Sequence, residues 1–218
     1  MRKSIRPVIL ACLPLLCWLS ASSQAPSYEC QIGTLTWTTQ NLDVDRFRNG
    51  DKIPEAETAS EWDAADKERK PAWCYFEFLG KTSRYYGRFY NWYAVNDPRG
   101  LAPKGYHVPT KEEFFNLIKA IVGQEKGYKL KAKSGWENLQ GAPANGTDDF
   151  DFNALPSGIR AMELEKMDFV LSVITGCWWC LAPSDSGKAP CLRIDYFAAF
   201  VYHEDLGVGM PVRLVKDY

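Results

Sequence analysis

One stretch constrains the fold more than any other, because it is the best helix in the chain. Thr110-Lys-Glu-Glu113 is a capping box. In it Thr110 accepts from the amide of Glu113, and Glu113 reaches back to the amide of Thr110. Behind it Phe114, Phe115, Leu117, Ile118, Ile121 and Val122 recur at helical spacing and stop near Gly123. Ala59 to Lys70 is charged and suits a short helix before Pro71, and Lys129-Leu130-Lys131 suits a second short one. The other apolar runs are brief and bounded by turns. Residues 28–37 read as a short strand entry and 72–78 as a strand candidate, while 150–155, 169–179, 191–196, 200–203 and 211–215 read as strands of an antiparallel sheet. Residues 85–95 read as a strand, or a strand leading into a helical turn. Residues 96–105 and 134–149 have loop chemistry. One main helix, short antiparallel strands and long structured loops make an irregular α+β domain. It is expected as a single domain over residues 24–218, with no repeat and no linker.

Residues 1–23 are set apart. Arg2, Lys3 and Arg6 precede a mostly apolar run of 12 residues, Val8 to Leu19, and small residues follow. This is the pattern of a secretory signal, too short to span a bilayer comfortably. Cleavage is placed after Ser23. Cleavage after Ala25 would put Pro26 next, which hinders the peptidase. Leu16 before Cys17, and the closeness of Cys12 to Arg6, argue against a lipoprotein. The expected location is outside the cytoplasm: extracellular, cell-surface or periplasmic. Without the leader's three basic residues, the formal charge of −1 becomes −4. That balance lacks the basic surplus of a nucleic-acid binder. No other segment is long and apolar enough for a transmembrane helix.

Five cysteines remain after the leader: Cys30, Cys74, Cys177, Cys180 and Cys191. Export allows disulfides, and an odd count leaves at least one thiol over. Cys177-Trp-Trp-Cys180 has the spacing of a redox or zinc motif. A redox CxxC works at a helix N-terminus, whereas Val173 to Trp179 reads as strand. Positions 177 and 180 of a strand point to opposite faces. Zinc drawn from Cys177, Cys180, Cys191 and His203 would have one knuckle with suitable spacing, and strand geometry splits it. Cys180 and Cys191 flank a Ser/Gly/Pro-containing loop, so a hairpin brings them within disulfide reach.

Several segments in order resemble the Fibrobacter succinogenes major paralogous domain. They are Trp37-Thr-Thr-Gln-Asn-Leu42, Pro71-Ala-Trp-Cys-Tyr-Phe76, Tyr86-Gly-Arg-Phe-Tyr-Asn-Trp-Tyr-Ala-Val95 and Leu101-Ala-Pro-Lys-Gly-Tyr-His-Val-Pro-Thr110. Ala154-Leu-Pro-Ser-Gly158 with Arg160, Trp178-Trp179 and Val212-Arg213 complete the series. The resemblance implies an exported or surface protein of the Bacteroidetes or Fibrobacteres type. It also implies an architecture similar to C-type-lectin-like and formylglycine-generating-enzyme-like domains, and it carries no catalytic residues. The chain departs from the family where Leu214 follows Val212-Arg213 in place of a cysteine, and where Cys180-Leu181 replaces a Ser-Ser pair.

Candidate site residues follow. The segment 86–93 is dense in aromatics, which fill cores or stack on sugar rings. Core filling is the expectation for most of them, with Tyr86, Tyr90 and Trp92 the candidates for a ligand platform. Asp148, Asp149 and Asp151 offer oxygen ligands for calcium, against the plainer reading of a polar loop with an Asn-Gly turn. No other cofactor is implied. His107, just before the helix cap, reads as a packed histidine that fixes its turn. No nucleophile triad, phosphate loop or carboxylate pair is recognisable. The expectation is a non-catalytic exported recognition module for extracellular polysaccharide or a surface protein. The alternative is a structural subunit or tip of a surface assembly.

Overall fold

A computed structural model describes residues 28–218 except 79, 80, 164, 165 and 185. The leader expected over residues 1–23 lies outside the described residues. β1 (Glu29–Ile32) and β2 (Leu35–Thr38) form a hairpin that turns at Gly33, where φ is +65°. α1 (Ala59–Lys67) starts on its own capping box, Thr58 with Glu61. It is charged all along and buries one residue, Trp62, whose indole N–H donates to Gly207 O at 2.8 Å. β3 (Trp73–Phe78) pairs with β4 (Lys81–Tyr90), and α2 (Trp92–Val95) follows directly. The segment 85–95 is thus a strand running into one helical turn.

β5 (Tyr106–His107) precedes α3 (Lys111–Ala120), the main helix, and both halves of the expected capping box are formed. A 3-10 turn, Gln124–Lys129, precedes the second short helix expected at residues 129–131, where Lys131 instead bridges Ala154. β6 (Ile159–Glu163) and β7 (Lys166–Val170) make a ribbon. β8 (Gly176–Trp179), β9 (Lys188–Ile194) and β10 (Ala199–Asp205) make a three-stranded antiparallel sheet, and β11 (Val215–Lys216) closes the chain. The strands form four small sheets, not one. The largest runs β1-β2-β11-β5 and joins the two ends of the domain. Residues 150–155 are not a strand. Phe152 and Ala154 are fully buried, so the run is apolar because it packs, while its backbone makes only a bridge at Ala154.

The three-stranded sheet is the middle layer, and period-two alternation decides what it touches. Cys177, Trp179 and Cys191 face a core that includes Trp73, Tyr90 and Trp92. Trp178, Cys180 and Leu192 face the other way, onto Trp37, Phe114 and Phe152 under α3. Adjacent tryptophans therefore serve two cores. A ring of this size buries roughly 150–250 Å², which at about 25 cal/mol per Å² is roughly 4–6 kcal/mol of gross burial each. Cys177 and Cys180 lie on opposite faces, as strand geometry requires.

Candidate functional site

The β3–β4 ladder carries an irregularity that builds the site. Tyr75 pairs with Arg88, but the next residue, Phe76, pairs with Ser83. Arg84, Tyr85, Tyr86 and Gly87 are left without partners and bulge out of the ribbon. Bulges re-aim side chains and recur beside functional sites. Here the bulge turns Tyr86 inward, with its ring 4.8 Å from that of Phe76, and turns Tyr85 outward, where it is 65% exposed. Gly87 closes the bulge at φ +72°. A Cβ there would sit 3.0 Å from Leu42 O and 3.0 Å from Asn41 Cβ, so only glycine lets β4 lie this close to residues 41–42.

Asn41 pins the bulge. Its Nδ2 donates to Tyr86 O at 2.8 Å. Its Oδ1 accepts from Trp178 Nε1 at 2.8 Å and from Arg213 Nε at 3.1 Å. Arg213 is wholly buried and also donates to Thr38 O at 2.9 Å, to Phe152 O and to Asn153 O. Burial pulls its pKa down to about 10, with Cys30 and Asp148 acting the other way. No carboxylate lies within ion-pair distance of it among the described residues. Carbonyl and amide oxygens hold the charge instead, in the fork geometry that guanidinium provides.

Above this hub lies a cleft of about 250 Å³, lined by Gln40, Asn41, Asp43, Arg84, Tyr85 and Asn153 among others. A second hollow of about 170 Å³ shares Gln40, Asn41 and Asp43 with it. The wall between them is therefore the segment that follows β2. Asp43 is fixed through one oxygen, Oδ1, which accepts from the Tyr75 hydroxyl at 3.0 Å and from Arg88 Nη1. Arg88 stacks over Trp73 at 4.0 Å and Tyr75 at 4.9 Å, and Arg84 lies over Tyr75 at 5.0 Å. Such stacking orders a guanidinium without neutralising it.

Two of the three aromatic residues expected on a ligand platform are corrected. Tyr90 is 0% exposed: its hydroxyl donates to Val44 O at 2.7 Å, and burial drives its pKa far up. Trp92 is 2% exposed and packs 5.5 Å from Trp179. Tyr86 is half-buried and adjoins the cleft through its carbonyl. The residue that sequence reasoning missed is Tyr85. Its signal, a tyrosine out of phase with its neighbours, cannot be separated from Tyr86 unless the bulge is known.

The calcium candidates are corrected as well. Asp148 turns back to accept from Asn153 N at 2.8 Å, while Asp149 and Asp151 are exposed. Among the described residues no group of three His, Cys, Asp or Glu side chains is placed to hold a metal ion. Positive φ at Asp148, Asp151 and Asn153 shows a tightly wound turn.

The Cys180–Cys191 disulfide does not form, and the five cysteines among the described residues are free thiols. The register places Cys191 opposite Trp179, and the Cys180 thiol donates to Pro190 O at 3.3 Å on the other face. Burial pushes the Cys177 and Cys180 thiols up to about 12, so neither is a thiolate nucleophile at neutral pH. His107 is tied at both nitrogens, Nδ1 to Asp217 at 2.8 Å and Nε2 to Glu113 at 2.9 Å. Burial lowers its pKa, but these two carboxylates outweigh burial and the net shift is upward.

A third, apolar hollow of about 180 Å³ lies on the loops beside β9, among Leu139, Leu171, Ile174, Arg193, Tyr196 and Phe197. Phe197 is 72% exposed there. Leu171 and Val173 hold φ of +59° and +62°. Such values are rare for branched side chains and cost about 1–3 kcal/mol each.

The fold is thus α+β with few helices and small antiparallel sheets, and its buried polar hub is made of Asn41, Trp178 and Arg213. These residues belong to the motifs noted in the sequence. The profile of the Fibrobacter succinogenes major domain matches residues 30–216. The chain belongs to that family. Neither the curated proteins nor the solved structures contain a match to it. Among the described residues no helix is long and apolar enough to cross a membrane.

Proposed function

We propose that this chain is an exported recognition module of C-type-lectin-like architecture that binds an extracellular polysaccharide in the cleft beneath the Arg84–Gly87 bulge. One observation carries the reading. The bulge sets the exposed ring of Tyr85 beside the amides of Gln40, Asn41 and Asn153 and the carboxylate of Asp43. An aromatic face next to fixed donors and acceptors is what a sugar ring, apolar on one side and hydroxylated at its rim, can use. The cleft is smaller than the roughly 300–1,000 Å³ of pockets that enclose a small molecule, and a second hollow lies across the wall formed by Gln40, Asn41 and Asp43. Both features suit part of a longer chain. The reading takes no step through a catalytic residue.

The test is binding of the purified protein to an array of polysaccharides. Saturable binding is expected to at least one, and Tyr85→Ala is expected to abolish it while leaving the thermal midpoint unchanged. Binding that survives in Tyr85→Ala moves the site elsewhere. An array without binding ends the polysaccharide reading. The apolar hollow favours a second reading, a subunit of a surface assembly, because exposed Leu139, Ile174 and Phe197 lie together there and such patches mark protein contacts. Self-association lost in Phe197→Ser would support it.

A further inference from the structure

The charges of the cleft narrow its ligand, and the narrowing rests on the polysaccharide reading above. Asp43 is the one carboxylate among the described residues of the lining, and it is already engaged with Arg88 and the Tyr75 hydroxyl. Arg213 spends its N–H groups on the oxygens of Asn41, Thr38, Phe152 and Asn153. It cannot turn toward a ligand without breaking the hub. Its distant counter-charge is Asp148, beyond ion-pair range. Arg84 stands differently. It is exposed and lines the cleft beside Tyr85, with its guanidinium ordered over the Tyr75 ring at 5.0 Å. It has no carboxylate within ion-pair distance among the described residues. Burial raises the pKa of Glu55, with Arg88 and Arg84 acting the other way from beyond that range.

We infer that the cleft selects an acidic polysaccharide, with the carboxylate of a uronic acid unit held by Arg84 while the sugar ring lies on Tyr85. Three features converge on this. A guanidinium presents a planar fork that matches a carboxylate in a bidentate pair. Its stacking on Tyr75 orders it before the ligand arrives, which lowers the entropic cost of binding. The bulge holds Arg84 and Tyr85 as consecutive residues, so the charge and the ring face are offered at one fixed spacing. The cleft is also a local reversal of sign. The domain after the leader carries a formal −4, whereas the described lining of the cleft holds two guanidinium groups and one carboxylate.

The experiment compares three probes by calorimetry at low and at physiological ionic strength. They are a galacturonate oligosaccharide, a neutral glucan oligosaccharide of equal length, and a sulfated glucan oligosaccharide of that length. The galacturonate is expected to bind at least tenfold more tightly than the neutral probe. Arg84→Gln is expected to erase that preference, and Tyr85→Ala to weaken both sugars; both positions are exposed, and an unchanged thermal midpoint verifies the fold. Equal binding of neutral and acidic probes, or an unchanged preference in Arg84→Gln, overturns the carboxylate assignment and leaves the polysaccharide reading standing. A sulfated probe that binds as well as the galacturonate replaces the carboxylate by any anion, and so overturns it too. If neither these probes nor the wider array bind, the polysaccharide reading itself has failed.

Discussion

Arg213 lines the polar cleft and Arg193 lines the apolar hollow, yet the protein treats the two guanidinium groups in opposite ways. Arg213 is wholly buried, and its N–H groups reach four acceptors from two parts of the chain, residues 38–41 and 152–153. Arg193 keeps part of its side chain in solvent, lies 3.8 Å from Asp195 and stacks loosely on Phe200 and Tyr202. Its buried Nε has no hydrogen-bond partner. Each side-chain nitrogen of Arg213 has a partner, so moving it would break these bonds beneath the cleft. The hollow around Arg193 is lined in part by Leu171, a loop residue held at φ +59°. The cleft is built on the framework; the hollow is built beside it.

The largest expected effect breaks the comparison directly. Arg213→Met strands the carbonyls of Thr38, Phe152 and Asn153 and one bond of Asn41, and should cost about 3–5 kcal/mol. Arg193→Met removes an unmet donor and should stay within about 1 kcal/mol of the parent. Urea midpoints for both proteins give the answer. Similar losses would mean that the two sites do not differ in the way described.

A second buried cation sharpens the contrast. Lys131 lies next to the apolar side, with Nζ 4.1 Å from the Trp136 ring and 5.9 Å from that of Tyr196. Burial lowers its pKa from 10.5 to about 8, so the folded state disfavours the charge. The unfolded chain binds that proton more tightly, and stability rises with pH between these two values. Lys131→Met should therefore gain about 1–3 kcal/mol at pH 7, with the gain fading as pH rises from about 8 toward 10.5. Thermal melts across that range measure it. A loss at pH 7 would show that the ring contact outweighs desolvation.

The smallest effect belongs to the segment that carries Arg213 to the C-terminus. His107 ties Asp217 to Glu113 at the cap of α3, and its pKa is raised in the fold. The stability it adds is complete below the unfolded value of about 6.5 and is lost as pH rises through the higher folded value. The group is partly solvated, so His107→Gln should cost about 0.5–1 kcal/mol at pH 5.5 and little at pH 9. A loss that does not change with pH would make the contact one of packing alone.

Much of the framework was legible because its causes are local. The capping box of α3 links residues three apart, and the helix follows with Phe114, Leu117 and Ile118 buried. Alternation alone put Cys177 and Cys180 on opposite faces and removed the redox reading of that motif. The cleft was not legible in this way. Its ring was expected at Tyr86, Tyr90 and Trp92 and is carried by Tyr85, because a bulge in the register breaks the alternation. The proposed Cys180–Cys191 pair failed for a related reason: one residue of register puts Trp179, not Cys180, opposite Cys191.

The sequence by itself determined the α+β composition, the main helix with its cap, the opposite facing of Cys177 and Cys180 and the family to which residues 30–216 belong. Only the tertiary structure decided that Asn41, Trp178 and Arg213 meet, across separations of 137 and 172 residues. It alone decided that Tyr85 faces solvent and that the aspartates of the 148–151 turn do not converge. The physical reason is range. Caps, turns and periodicity act over a few residues and are written in short words of sequence. Register, bulges and the pairing of a buried charge are settled by whichever distant backbone atoms the packed core brings within hydrogen-bond reach.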